Sequence, residues 1–152
     1  MNLKVGQKAP DFSATTHDGN IIRLSDQQGK KIILYFYPKD NTPGCTAQAC
    51  NLRDNFPILT EKGYIIFGVS TDTPESHIKF IQKQSLPFVL IADTDHSIHE
   101  LYGVWQEKSM YGKTYMGTKR TTFIIDEKGI IEDIIEKVDT KDHTRQILKT
   151  SN

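Results

Sequence analysis

The sequence predicts an α/β fold in which a central mixed sheet is flanked by helices, and three observations predict it. Short apolar runs rich in β-branched and aromatic residues alternate with segments that carry helix-start signals. Near the C-terminus, two such runs are separated only by Glu127-Lys128-Gly129, which is typical of an antiparallel hairpin. No repeat, low-complexity tract or composition shift divides the 152 residues, so we expect a single domain over residues 1–152.

The chain is expected to begin with a hairpin that leads into the sheet. Residues 12–16 and 21–24 flank His17-Asp18-Gly19-Asn20, a turn signal built around Asp-Gly. Residues 31–37 form an almost uninterrupted apolar run, which suits a central strand buried on both faces. Pro38 ends that strand.

Helices and strands are then expected to alternate. In order, the pattern predicts a helix interrupted or tightened near Pro57 (45–60), a buried strand (64–70), a helix (73 to about 84), a third strand (88–92) and a short helix (96–102). The helix that follows the buried strand has the clearest start, because Thr73 can cap it and Pro74 suits its first turn.

The C-terminal third is expected to close the sheet. Residues 103–119 are interpreted as an aromatic-rich loop, whose Trp105, Tyr111 and Tyr115 either line a binding surface or pack the loop down. The remaining predicted elements are two strands (121–126 and 130–137) and a closing helix (142–150). Alternation of strands and helices implies parallel pairing, to which the last hairpin adds an antiparallel edge. The result is an α/β sandwich of thioredoxin-like layout with an N-terminal β-hairpin extension.

Composition narrows the function classes. Nineteen Lys and Arg balance nineteen Asp and Glu, which argues against a whole-surface attraction to nucleic acid or to an anionic membrane. No apolar run approaches the roughly eighteen residues of a membrane span, and the N-terminus lacks the apolar segment of a secretory signal. We therefore expect a cytoplasmic protein with no nucleic-acid or membrane partner.

The two cysteines, Cys45 and Cys50, indicate redox or metal chemistry rather than a structural staple. A disulfide that closes so short a loop would restrain little of the unfolded chain. Two thiols are also too few for a structural zinc site unless histidines join them, and no histidine has a ligand spacing beside them. We expect no metal.

Cys45 lies where a buried strand ends and a helix begins. Reactive groups of open α/β sheets gather at this end of the strands. In the first turn of a helix, a sulfur faces unpaired N–H groups and the positive end of the helix dipole, and both favour the thiolate. A lone cysteine is otherwise a small buried apolar residue, but this position favours a reactive one.

The spacing of the two cysteines predicts a conformational change if they bond. Five residues of regular helix give a rise of about 7.5 Å, which places the two Cα atoms about 8 to 9 Å apart. An unstrained disulfide requires less than roughly 7 Å. Cys45 and Cys50 are therefore separate in an intact helix and can be bridged only when its first turns unwind.

Pro38-x-x-x-Thr42-x-x-Cys45 resembles the active-site signature of the peroxiredoxins, and the longer motif resembles their Q-type branch, also called bacterioferritin comigratory protein. The resemblance extends over nearly the whole chain. It rests on the following segments: Val5-Gly6-x-x-Ala9-Pro10-Asp11-Phe12, Thr42-Pro43-Gly44-Cys45-Thr46, Ala49-Cys50, Arg53-Asp54, Tyr102-Gly103-Val104-Trp105, Met110-Tyr111-Gly112, Tyr115-Met116-Gly117 and Arg120-Thr121-Thr122-Phe123.

The resemblance implies a role for each residue of the motif. Cys45 would be the peroxidatic thiolate, with Thr42 bonding the peroxide oxygens and Pro38 limiting access of water. Arg120 would hold the thiolate charged and polarise the O–O bond. Without the resemblance, Arg120 could be a surface cation beside Lys119. Cys50 would resolve the Cys45 sulfenic acid. Thioredoxin or a glutaredoxin-like protein would return both thiols, and no cofactor is needed.

Gln48 departs from the resembled family, in which Glu is common three residues after the peroxidatic cysteine. A neutral amide still accepts a hydrogen bond from arginine but loses its charge-assisted part. The departure predicts a helix that unwinds at least as readily as in Glu-bearing relatives.

The sequence thus predicts a peroxidase acting on hydrogen peroxide and small organic hydroperoxides. The alternative enzyme is a protein dithiol–disulfide oxidoreductase on the same fold, and a different class is a binding or chaperone module with inert cysteines. The five-residue spacing, Thr42 and Arg120 favour the peroxidase. An intrachain resolving cysteine makes a dimer unnecessary for the chemistry, so we expect a monomer.

Overall fold

A computed structural model describes residues 2–150 of the chain, with side chains described to residue 149. The strands are β1 (Ser13–Thr15), β2 (Ile21–Arg23), β3 (Lys31–Phe36), β4 (Tyr64–Ser70), β5 (Val89–Ala92), β6 (Trp105–Met110), β7 (Lys113–Thr118), β8 (Thr121–Ile125) and β9 (Ile131–Ile135). The helices are α1 (Pro43–Asp54), α2 (Phe56–Glu61), α3 (Pro74–Gln84), α4 (Ser97–Leu101) and α5 (His143–Thr150), and a 3₁₀ turn covers Leu24–Gln27. Across this described range, no helix has the length and apolar character needed to cross a membrane.

The central sheet has five strands in the order β5-β4-β3-β8-β9. β3 pairs in parallel with β4, which pairs in parallel with β5, whereas β8 runs antiparallel to both β3 and β9. This confirms the predicted mixed sheet with an antiparallel edge. β1 and β2 form a separate antiparallel pair, which confirms the N-terminal hairpin.

β3 is the central strand because both of its faces are apolar. Side chains alternate between the two faces of a strand, and here the two sets enter two different cores. One core takes Ile32, Leu34 and Phe36, and the other takes Ile33, Tyr35 and the following Tyr37. α1, α2, α3 and α5 cover the second core, so Cys45 packs against this face of the sheet.

The predicted helix over residues 45–60 is interrupted, as expected. α1 ends at Asp54, Asn55 departs from helical geometry, and α2 begins at Phe56 with Pro57 in its first turn. Proline is tolerated there because the first N–H groups of a helix have no partner within the helix. The cap on α3 is also confirmed, since the Thr73 hydroxyl accepts a hydrogen bond from the Ser76 N–H at 3.2 Å.

The interpretation of residues 103–119 as a loop is wrong, because β6 and β7 form a hairpin there. Their residues pair in register from Trp105↔Thr118 to Met110↔Lys113. The turn between them has positive φ at Tyr111 (53°) and Gly112 (76°), the backbone of a two-residue hairpin turn. Most of the side chains are exposed, so cross-strand hydrogen bonds rather than a buried face define these strands.

Candidate active site

Cys45 lies in the first turn of α1, just past the carboxyl end of β3. Pro43 is the first residue of the helix, where its fixed φ is suited to helical geometry. Thr42 occupies the cap position with extended backbone, but its hydroxyl donates to the Lys39 carbonyl at 2.8 Å instead of capping the helix. The Cys45 side chain is only 2% exposed. Pro38 lies in the same loop and is half-buried.

Arg120 reaches Cys45 because of the strand order. It precedes β8, and Thr121 at the start of β8 pairs with Phe36 at the end of β3. Its guanidinium donates from Nη2 to Cys45 Sγ at 3.3 Å and from Nη1 to Gln48 Oε1 at 2.8 Å. A Cβ atom at Gly44 would lie 3.3 Å from Nη2, so the glycine leaves room for this approach.

The surroundings of Cys45 combine burial with positive charge. Burial lowers the pKa of Lys108, and the positive charge of Arg120 lowers it further, while the charge of Cys45 acts in the opposite direction. Burial also raises the pKa of the Tyr35 phenol well above its usual range, with Cys45 as the next cause. Tyr35, which lies in the same core as Cys45, therefore remains a neutral phenol.

Gln48 joins Arg120 to the buried face of α1, but only the oxygen of its side-chain amide has a hydrogen-bond partner. The residue is fully buried, and Oε1 accepts the Arg120 hydrogen bond. Its Nε2 group has no hydrogen-bond partner among residues 2–150. An unpaired buried donor costs free energy, so the folded helix carries a penalty at the residue that anchors it to Arg120.

We expect a Gln48→Glu variant to hold α1 more firmly. The change replaces the unpaired donor with an acceptor and gives the charged Arg120 guanidinium a charged partner, so the hydrogen bond becomes an ion pair. Amide hydrogen exchange over residues 44–53 should then slow by about tenfold, since exchange there follows local opening. As a control, Gln48→Met keeps the shape, removes the acceptor and should accelerate exchange. Slower exchange in the unchanged protein than in Gln48→Glu would contradict this expectation.

Cys50 is on the same unbroken helix and faces α3. Its thiol donates to Gln84 Oε1 at 3.3 Å, and Arg53 Nη1 donates to the Gln84 carbonyl at 2.7 Å. Both cysteines are free. Arg53 also forms an ion pair with Asp54 at 2.9 Å within α1, so it is the Arg53–Gln84 bond that ties the end of α1 to α3.

One cluster near the site was missed by sequence reasoning. Asp40, Asp72 and His77 place ligand atoms within 4.8 Å of one another beside the loop that precedes α1. Such a grouping could hold a metal ion, but here the carboxylates accept hydrogen bonds from protein donors. Nothing in the sequence links residues 37 positions apart, since only the packing of α3 against the sheet unites them.

Comparison with known proteins places the chain in a family. The model of the AhpC/TSA family matches residues 5–134. Peroxiredoxin Bcp of Bacillus subtilis is 46% identical over 99% of this chain and 96% of its own length, and peroxiredoxin Bcp of Escherichia coli is 47% identical over 96% and 94%. The structure also resembles that of the bacterioferritin comigratory protein of Xanthomonas campestris, with a TM-score of 0.88, 31% identity and 96% of each chain covered. The chain therefore belongs to the AhpC/TSA family and is a peroxiredoxin of the Bcp, or Q-type, branch.

Proposed function

We propose that this peroxiredoxin reduces hydrogen peroxide and small organic hydroperoxides with Cys45 as the nucleophile. The observation that carries the proposal is the donation from Arg120 Nη2 to Cys45 Sγ at 3.3 Å. A fixed positive charge in a water-poor site stabilises a thiolate more strongly than the same charge in water. The X. campestris structures concern the alkyl peroxide reduction activity of that protein, which supports the same substrate class here.

In the first step, the Cys45 thiolate attacks the terminal oxygen of the hydroperoxide. An S–O bond forms and the O–O bond breaks, so Cys45 becomes sulfenic acid and the remaining oxygen leaves as water or an alcohol after taking a proton. Arg120 stabilises the negative charge that develops on the leaving oxygen. Thr42 bonds the peroxide oxygens, and Pro38 limits the access of water.

In the second step, α1 unwinds and the Cys50 thiol condenses with the sulfenic acid. An S–S bond forms and one water leaves. A dithiol reductant of the thioredoxin or glutaredoxin type then restores both thiols, because exchange through a mixed disulfide needs no further cofactor. We propose a monomer, since both cysteines of the cycle are on one chain, and a cytoplasmic location, where two free thiols stay reduced.

The burial of Cys45 favours this function over protein disulfide exchange. A side chain that is 2% exposed admits a small peroxide far more readily than a disulfide on a folded protein. Thiol–disulfide exchange requires the attacking sulfur to reach its partner. The intact helix therefore selects for small substrates. A protein reductant can reach the disulfide only after α1 has unwound.

Rapid mixing with hydrogen peroxide tests the proposal. We expect fast formation of Cys45 sulfenate, trapped and identified by mass spectrometry, followed by a Cys45–Cys50 disulfide. Both products should be absent in Cys45→Ser. Reaction no faster than that of a free cysteine would reject the peroxidase, and faster reaction with a protein disulfide than with peroxide would favour the oxidoreductase.

A further inference from the structure

Asp40 is a buried carboxylate in the middle of the loop that holds Pro38 and Thr42. Its side chain is 1% exposed. Oδ1 accepts from the Tyr37 hydroxyl at 2.6 Å, and Oδ2 accepts from the Ser76 hydroxyl at 2.9 Å. The His77 ring completes the shell, with Nδ1 at 2.7 Å from Oδ2.

His77 is hydrogen-bonded through both of its ring nitrogens. Its Nε2 lies 2.9 Å from the Ile91 carbonyl, which can only accept, so Nε2 carries a hydrogen. Nδ1 lies 2.7 Å from Asp40 Oδ2, and the two atoms share a hydrogen bond. Asp40 and His77 therefore form a buried hydrogen-bonded pair, in which His77 is 0% exposed.

The pair joins the loop to three other parts of the fold. His77 belongs to α3 and bonds to β5 through Ile91. The Asp40 N–H donates to Asp72 at 2.8 Å, and Asp72 also accepts from Ser70 at the end of β4 at 2.6 Å. The loop is thus tied to elements that do not include α1.

The backbone of the loop includes one residue in a left-handed conformation. Asn41, between Asp40 and Thr42, has φ of 63°, which asparagine tolerates better than other non-glycine residues but which still has a conformational cost. Such a conformation persists only where surrounding contacts impose it. Removing His77 takes away one hydrogen-bond partner of the buried Asp40 carboxyl group, which costs free energy, so losing His77 should release the loop.

We propose that the Asp40–His77 pair keeps the peroxide-binding loop, residues 38–42, in place while α1 unwinds and refolds. Asp40 and His77 are then positioning residues for the peroxide step and have no part in disulfide formation. Unwinding therefore stops short of residues 38–42, and Thr42 keeps its position while Cys45 moves. This inference rests on the proposed peroxidase function.

Rapid-quench measurement of the two steps in His77→Leu tests the inference. We expect the second-order rate of Cys45 sulfenate formation to fall at least about tenfold, since small displacements of binding groups cost that much. The first-order rate of disulfide formation should stay within about twofold of the unchanged protein, because the unwinding of α1 does not involve the pair. His77→Asn should recover part of the first rate, since its amide can donate to Asp40.

His99→Leu is the matched control. His99 pairs with Asp93 at 2.6 Å, is equally buried, and lies on the opposite face of the sheet against Phe36. Its loss should lower stability to chemical denaturation about as much as the loss of His77 while changing neither rate by more than about twofold, because it leaves the loop untouched.

The outcomes separate the inference from the function on which it rests. Absence of sulfenate in the unchanged protein would reject the peroxidase itself. Three results would overturn the inference: normal sulfenate formation in His77→Leu, an equal fall of both rates in that variant, or a slower peroxide step with normal disulfide formation in His99→Leu.

A second variant covers the case in which His77→Leu fails to fold. Ser76→Ala removes one donor from the same carboxyl group and should slow only the peroxide step, by about threefold. An unchanged rate of that step would again overturn the inference.

Discussion

Replacing Arg120 with glutamine is expected to slow the reaction of Cys45 with hydroperoxide by about 10²- to 10³-fold. Glutamine keeps a hydrogen-bond donor near the sulfur but removes the positive charge that lies 3.3 Å from it. Without that charge, both the thiolate and the leaving oxygen lose stabilisation, and the two losses act on the same transition state. The measurement is the second-order rate of sulfenate formation under rapid mixing.

Lys119→Gln provides the control for this variant. Lys119 is the neighbouring cation, but it is bound to Glu136 at 3.1 Å in a largely exposed ion pair. Exposed ion pairs contribute little, so we expect this variant to react within about twofold of the unchanged protein. Equal losses in the two variants would mean that general positive charge, rather than the contact with Cys45, carries the effect.

Replacing Cys50 with serine is expected to end thioredoxin-dependent turnover once one equivalent of peroxide has converted Cys45 to sulfenic acid. Cys45 still has Arg120 beside it and still forms sulfenic acid, but no second sulfur on the chain can condense with it. The trapped sulfenic acid is then open to further oxidation by excess peroxide. The measurement is peroxide consumed per protein with thioredoxin and its reductase present.

Gln84→Ala is the matched control for Cys50. It removes the acceptor that holds the Cys50 thiol at 3.3 Å but leaves the thiol itself. Because the Cys50 thiol still reaches an unwound Cys45, we expect turnover to continue in this variant. Sustained turnover of Cys50→Ser at the normal rate would instead remove the resolving role from Cys50.

The fold was predictable wherever the local sequence determines burial. The apolar run of residues 31–37 gives the central strand β3 in the structure because its side chains enter both cores. The β6–β7 hairpin escaped prediction because its side chains are mostly exposed and its turn places a tyrosine, Tyr111, at positive φ. Neither feature produces an alternating apolar pattern.

The residues of the candidate site were also found in part from local sequence. A strand–turn–helix junction is a local signal that pointed to Cys45, and the motif resemblance pointed to Thr42 and Arg120. The contact between Arg120 and Gln48 depends on β8 lying beside β3, and the Asp40–His77 pair depends on where α3 packs. Those contacts arise from the tertiary fold, which no short stretch of sequence encodes.

The position of Arg120 just before β8, rather than on α1, has a consequence for redox energetics. In the proposed cycle, the disulfide forms only after Cys45 leaves the guanidinium, so this contact belongs to the dithiol state alone. A contact that stabilises only the dithiol raises the reduction potential of the couple, by about 30 mV for each 1.4 kcal/mol. The contact between Arg120 and Cys45 therefore slows disulfide formation and also makes the later reduction of the disulfide more favourable. The stability of α1, which holds Cys45 at this contact, sets how strong each effect is.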